Sequence, residues 1–164
     1  RDTDRSRGLG DVYKRQAIVT SFMAHKGEAE DKHLDLVLDD RSVTGDDCYA
    51  DMEPSDASLV FDNLIENAIM YTDEGSILVT FEPRGHEIAV IVQDTGIGIP
   101  QTDQSRIFER FYRVDKARSR EVGGTGLGLS LVRHAVERSK GRVSVKSNPG
   151  EGSQFTVVFP RAKR

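Results

Sequence analysis

The sequence predicts an α+β fold in which a mixed β-sheet is covered on one face by helices. Three features carry that expectation. Downstream of Pro54, the residues Ala57, Phe61, Leu64, Ile65, Ala68 and Ile69 share one broad arc when successive side chains are set about 100° apart, as on a helix packed against a sheet. The runs 76–82 and 87–93 are joined by a short turn and read as a β-hairpin, as do 142–147 and 154–159. The helical stretches are segregated from these strand pairs.

Taken in order, residues 17 to about 31 form a helix with Ile18, Phe22 and Ala29 toward one side. His33-Leu-Asp-Leu-Val-Leu38 alternates polar and apolar residues like a half-buried strand, and a turn-rich stretch follows through Thr44-Gly-Asp-Asp47. Pro54 opens the strongest helix, which carries Asn63, Asn67 and Met70 opposite its apolar arc, facing a cleft. After the turns at Asp73-Glu-Gly75 and Arg84-Gly-His86, the segment 88–92 is apolar on both pleat faces, which places it centrally in the sheet. A short helix over 103–112, a charged loop over 113–124 and a helix from Thr125 or Gly126 to Ser139 come next. Val143, Val145, Phe155, Val157 and Phe159 alternate along the closing hairpin, and there are no repeats or low-complexity tracts.

Bulk properties narrow the function classes. A chain of 164 residues is one domain's worth and buries a core without staples. Its 37% hydrophobic and 30% charged content suits a soluble globular protein, and no apolar run approaches the roughly 20 residues of a membrane span. A net charge of -4, with basic residues scattered, provides no face for holding nucleic acid through its phosphates. The single Cys48 forms no internal disulfide, no Cys/His pair has zinc-ligand spacing, and no secretory signal is visible; all three suit a reducing compartment.

Residues 1–16 stand apart. The segment Ser6-Arg-Gly-Leu-Gly-Asp-Val-Tyr-Lys-Arg-Gln16 has neither helical nor strand periodicity and joins abruptly to the amphipathic stretch after it. It looks like the in-frame translation of a sequencing-library adapter, and a natural disordered terminus is the alternative. On the adapter reading the domain runs over 17–160 with a short tail at 161–164, residues 17–164 together carry a charge of -6, and the native protein continued upstream of Ala17.

The chemistry-bearing residues lie in two glycine boxes and one helix. Asp94-Thr-Gly-Ile-Gly-Ile-Pro100 could by itself be a strand-ending turn. It is not a dinucleotide fingerprint, because the third glycine is missing and Pro100 does not open a long crossover helix; a P-loop motif is absent too. Gly123-Gly-Thr-Gly-Leu-Gly-Leu129 opens a helix, whose free amides and positive dipole end suit a phosphate, although close backbone packing would also explain its glycines. Asn63 and Asn67 are one turn apart; solvated amides are the default, and an asparagine oxygen is also a fitting Mg²⁺ ligand beside phosphate and water. The histidines His25, His33, His86 and His134 have no partner carboxylate or nucleophile at motif spacing and read as surface or packing residues.

These segments resemble a known family. Asn63-Leu-Ile-Glu-Asn67-Ala-Ile-Met-Tyr71-Thr72, Asp94 to Pro100, Ile107-Phe-Glu-Arg-Phe-Tyr-Arg113 and Gly124-Thr-Gly-Leu-Gly-Leu129 are similar, in order and spacing, to the N box, first glycine box, F box and second glycine box of the ATP-binding domain of bacterial sensor histidine kinases. The similarity covers about 17–160, and Gly150-Glu-Gly-Ser-Gln-Phe155 looks like the closing glycine-rich hairpin. The resemblance implies the Bergerat α/β sandwich with a flexible ATP lid, shared by gyrase, Hsp90, histidine kinases and MutL.

Carried over residue by residue, the resemblance implies that Asp94 accepts a hydrogen bond from the adenine amine and selects ATP over GTP. Gly96, Gly98 and Ile99 would form the turn against the base, with Tyr71 beside the nucleotide. Asn67 would ligate Mg²⁺ while Asn63 supports metal and phosphates. Arg113, with Lys116, Arg118 or Arg120, would steady the phosphates from the lid, and Gly124, Thr125, Gly126, Leu127, Gly128 and Leu129 would hold the phosphate chain. Asn63, Asn67 and Arg113 are thus the expected catalytic residues. Superfamily hydrolases keep a glutamate where this chain has Asn63; an amide cannot accept water's proton, so transfer to a protein side chain is the expected reaction. Met70 departs from the family, which commonly has a basic residue there.

The expected enzyme is a protein histidine kinase using ATP and Mg²⁺. Its acceptor histidine would lie on a separate upstream dimeric hairpin, since His25-Lys26 does not match the acceptor pattern. A cognate response regulator, a homodimeric full-length protein, and a cytoplasmic domain of a protein anchored in the bacterial inner membrane follow from the same resemblance. An ATP-binding regulatory module with weak transfer, a nucleotide-sensing domain without transfer, and an anti-sigma-type serine kinase are the alternatives.

Overall fold

The computed structural model describes residues 18–41, 52–112 and 128–160. Helix α1 covers 18–31 and buries Ile18, Phe22 and Ala29, as its periodicity predicts. It closes with His33 in the left-handed region (φ 59) and Leu34 N–H donating to Ala29 O at 2.8 Å, a Schellman end. That end delays strand β1 to Asp35–Asp40, two residues later than the alternation alone suggests. Helix α2 (Pro54–Met70) starts with proline in its first turn, where a missing N–H costs nothing. Every residue of its predicted apolar arc is buried, with Ala57, Phe61 and Ile65 at 0% exposure. A fully buried Phe, Leu or Ile side chain contributes about 1.5–3 kcal/mol, so this helix face is a principal source of stability.

Strands β2 (Ser76–Arg84) and β3 (Glu87–Asp94) form the first hairpin, and β4 (Arg142–Asn148) and β5 (Gly152–Pro160) the second. The sheet order is β1-β2-β3-β5-β4, which puts β3 at the centre, as its two-faced apolar pattern requires. β1 runs parallel to β2 and all other pairs are antiparallel, so the sheet is mixed. On the inner face Ile77, Val79, Phe81, Ile88, Val90, Val92, Phe155, Val157 and Phe159 are buried beneath the helices. The outer face carries ion pairs instead, among them Arg142–Glu87 (2.6 Å) and Arg41–Glu82 (3.2 Å).

Helix α4 (Gly128–Arg138) buries Val132, Ala135 and Val136 and runs antiparallel to α2. Arg138 at its end grips Asp56 near the start of α2 through two hydrogen bonds of 2.6 and 3.1 Å. The helix expected over 103–112 is not formed. Helix α3 is one turn, Gln101–Gln104, followed by successive tight turns in which Arg106, Glu109 and Tyr112 N–H groups each bond the carbonyl three residues back. Tertiary packing overrides helical propensity there: Ile107 is buried, Phe108 stands edge-on to Phe155 at 6.2 Å, and Phe111 takes φ 65. No described helix is long and apolar enough to cross a membrane.

Candidate nucleotide-binding site

Helix α2 touches both glycine boxes. At its C-terminal end, Tyr71 O accepts the Ile97 N–H at 3.0 Å, and a Cβ on Gly96 would stand 2.1 Å from Tyr71 O and 2.8 Å from Thr72 Oγ1. Only glycine lets the turn sit on this helix end. Two turns earlier, Asn63 donates from Nδ2 to Leu59 O at 2.7 Å, which fixes its amide and turns Oδ1 toward α4. A Cβ on Gly128 would lie 2.7 Å from that oxygen. Eight residues separate Asn63 from Tyr71, so the two contacts are about 12 Å apart along the helix axis. Asn67 lies between them, half-buried.

Asp94 ends β3 on the inner face of the sheet and is 5% exposed. Its Oδ1 accepts the Gly96 N–H at 2.9 Å and the Ser153 N–H at 3.2 Å. With both amides on one oxygen, the carboxylate plane is fixed and Oδ2 is left for another donor. Burial pushes the Asp94 carboxyl above its ordinary 3.8, and the two amides, by stabilising the ion, offset part of that rise.

The glycine turn is held from the opposite side by the β4–β5 hairpin. Gly98 takes φ 74, and a Cβ there would stand 2.2 Å from Asn148 O. Gly150 N–H donates to Ile97 O at 2.8 Å, and Ile99 N–H donates to Ser147 Oγ at 2.7 Å. Gln104 Nε2 donates to both Ile99 O and Ser147 O, each at 2.9 Å. Thr72 Oγ1 is fully buried against Gly96 and has no hydrogen-bond partner among the described residues.

The structure thus sets Gly96 and Gly128 against α2, which carries Asn63 and Asn67 and is capped by Tyr71; Asp94 is bonded to Gly96, Gly98 and Ile99 are held by the β4–β5 hairpin, and Leu129 follows Gly128 in α4. Arg113, Lys116, Arg118, Arg120, Gly124, Thr125, Gly126 and Leu127 lie outside the described residues. Sequence reasoning gave no role to Thr72, which ends the N box, and missed Gln104, Ser147 and Ser153. No spacing signals them, because their roles come from contacts between segments as much as 59 residues apart. A separate open groove of about 460 Å³ lies between Phe108, Arg110 and the outer side of α4, away from Asp94. His25 is a packing residue, but it has carboxylate partners: Asp62 and Glu66 of α2 at 3.3 and 3.6 Å, which no local spacing shows, and Glu28 at 3.5 Å, three residues on along α1.

Comparison with known proteins shows the family. A family model described as the histidine kinase-, DNA gyrase B- and HSP90-like ATPase matches residues 52–163. The sensor-like histidine kinase SenX3 of Mycolicibacterium smegmatis is 50% identical over 99 residues, which are 60% of this chain and 26% of SenX3. The chain therefore corresponds to a minor part of such a protein. The catalytic domain of histidine kinase ThkA superposes with a TM-score of 0.77 at 23% identity, covering 91% of this chain and 95% of that one. Full-length ShkA in complex with AMPPNP superposes with a TM-score of 0.74 at 23% identity, over 91% of this chain and 30% of that one. The chain belongs to the histidine kinase-, DNA gyrase B- and HSP90-like ATPase family, and corresponds to the ATP-binding catalytic domain of sensor histidine kinases.

Proposed function

We propose that this domain binds Mg-ATP between the two glycine boxes and passes the γ-phosphoryl group to a histidine on a separate dimeric helical-hairpin domain. The observation that carries this reading is the contact of both boxes with one helix, at Asn63 and at Tyr71. Asp94 and the turn at Gly96 and Gly98 form the base end. Asn63, Asn67 and the N-terminus of α4 at Gly128 and Leu129 form the phosphate end, where a helix dipole favours negative charge. Arg113, Lys116 and Arg118 complete the phosphate end from the lid, with Gly124, Thr125, Gly126 and Leu127.

Asn67 would hold Mg²⁺ through one hard oxygen, with phosphate oxygens and water completing the shell, and the ion would supply charge neutralisation at the phosphates. Asn63 cannot serve as a base for water, since its amide has no proton-accepting carboxylate and its nitrogen is committed to Leu59 O. In the transfer, a histidine ring nitrogen forms a bond to γ-phosphorus as the bond to the bridging oxygen breaks, and ADP leaves. The acceptor domain, a cognate response regulator, a homodimeric whole protein and an inner-membrane anchor belong to the same proposal.

Met70 supports a second reading. It is half-buried at the last position of α2, where the family commonly carries a cation, so a regulatory module with weak transfer is the alternative. The test is radiolabelled ATP supplied with and without a matching hairpin domain. Acid-labile, alkali-stable label on the hairpin, absent with Asn67→Ala, is expected. Rapid hydrolysis by the chain alone, or acid-stable label, overturns the histidine-kinase reading in favour of a hydrolase or a serine kinase.

A further inference from the structure

The base end of the site is not built by the first glycine box alone. Ser147, the penultimate residue of β4, has every hydrogen-bonding position of its hydroxyl engaged. It accepts from Ile99 N–H at 2.7 Å, donates to Gly152 O at 2.9 Å, and accepts from the Ser153 hydroxyl at 2.8 Å. Ser153 in turn donates its N–H to Asp94 Oδ1 at 3.2 Å, the oxygen that also accepts from Gly96. A continuous path therefore runs from the glycine turn through Ser147 and Ser153 to the carboxylate. Gln104 closes a second link by bridging the carbonyls of Ile99 and Ser147.

We infer that Ser147 is a positioning residue of the nucleotide site: its hydroxyl registers the β4–β5 hairpin against the glycine turn, and so sets the distance between that turn and Asp94. This rests on the assignment of Asp94 and the turn to the base, but it concerns a residue outside both glycine boxes. Three chain segments meet at one oxygen, so its loss frees them together. Removing it leaves the Ile99 N–H without its acceptor, and the turn has no side chain of its own with which to replace the bond. Gly98 already lies against Asn148 O, so the turn can relax only away from the hairpin, which is also away from the place Asp94 fixes.

The experiment is calorimetric titration of the full chain with Mg-ATP and with Mg-ADP, for the parent, Ser147→Ala, Ser147→Thr and Gln104→Leu. Ser147→Ala is expected to weaken both nucleotides by the same five- to tenfold, because the defect lies at the base end that they share. Ser147→Thr, which keeps the hydroxyl, should restore most of the affinity. The combination of Ser147→Ala with Gln104→Leu should cost less than the product of the two single losses, since both hold the same turn. Ser144→Ala, an exposed hydroxyl on the same strand, is the control for the hairpin itself. A merely structural role lowers the unfolding midpoint of Ser147→Ala while the folded protein binds with parent affinity, and that result overturns the inference alone. Failure of the parent to bind ATP overturns the site assignment with it. An ATP-specific loss with ADP unaffected would place the defect at the phosphates and also overturn it.

Discussion

Replacing Asp94 with asparagine separates binding from folding more sharply than any other change at the site. The side chain keeps its shape, and the Oδ1 of the substituted amide can still accept from Gly96 and Ser153 at the distances the carboxylate uses, 2.9 and 3.2 Å. The group that replaces Oδ2 is then an NH₂, a donor set against the donating amine of adenine. A hydrogen bond to a charged group contributes about 1.5–3 kcal/mol, so ATP affinity should fall roughly 10- to 150-fold. Guanine presents a carbonyl at the same place, so the preference for ATP over GTP should shrink or invert. The fold should not suffer, because the substitution removes a buried charge that desolvation disfavours.

The pH dependence has a definite sign. The carboxyl pKa is raised in the folded state, so between 3.8 and that raised value the folded protein holds the extra proton. The contribution of Asp94 to stability therefore declines as pH rises through this window, while the ionised acceptor that ATP needs appears over the same range. Calorimetry of parent and Asp94→Asn with ATP and GTP, with thermal melts across the window, checks all three statements. Unchanged ATP affinity in Asp94→Asn would refute the assignment of this carboxylate to the base.

Other substitutions probe the glycines and the phosphate end. Gly96→Ala should lower stability by about 1–3 kcal/mol or more, since its methyl group meets the Tyr71 carbonyl at 2.1 Å and backbone cannot step aside; an unaltered melting midpoint would contradict the cradle. Gly128→Ala should instead leave stability unchanged or raise it, as alanine favours a helix by about 0.8–1 kcal/mol over glycine, yet lower phosphotransfer by displacing Asn63 Oδ1, which the added Cβ would meet at 2.7 Å. Transfer at the parent rate would show that the Asn63 orientation does not matter. Met70→Lys should strengthen ATP binding by about 1 kcal/mol through an added cation in a partly solvated cleft, read by titration; a neutral or harmful effect would mean that position 70 does not face the phosphates.

What was legible in the sequence divides along a physical line. Periodicity is a local property, so it found α1, α2, both hairpins and the central place of β3, whose 88–92 run is apolar on both faces. It failed at 103–112, where Ile107 and Phe108 are drawn onto the sheet and Phe111 adopts a left-handed backbone that no helix accommodates. It also mistimed β1, because the Schellman end of α1 consumes His33 and Leu34. The glycines at 96, 98 and 128 could be read as close approaches, but what they approach could not. Tyr71 O and Asn63 Oδ1 come from α2 and its cap and Asn148 O from the β4–β5 hairpin, all distant in sequence from the glycines they meet and selected by tertiary packing. Motifs therefore name the residues proposed to meet a ligand, whereas Ser147, Ser153 and Gln104, which hydrogen-bond around them, are ordinary polar positions until the chain is folded. Asp94 holds the first glycine of the turn from within the box, but Gly98 has no side chain and the Ile99 N–H is bonded from outside, so the far half of the turn is positioned by neighbours. That is why Ser147 and Ser153, invisible to motif reading, lie on the hairpin that covers it, with Gln104 reaching the same contact from α3.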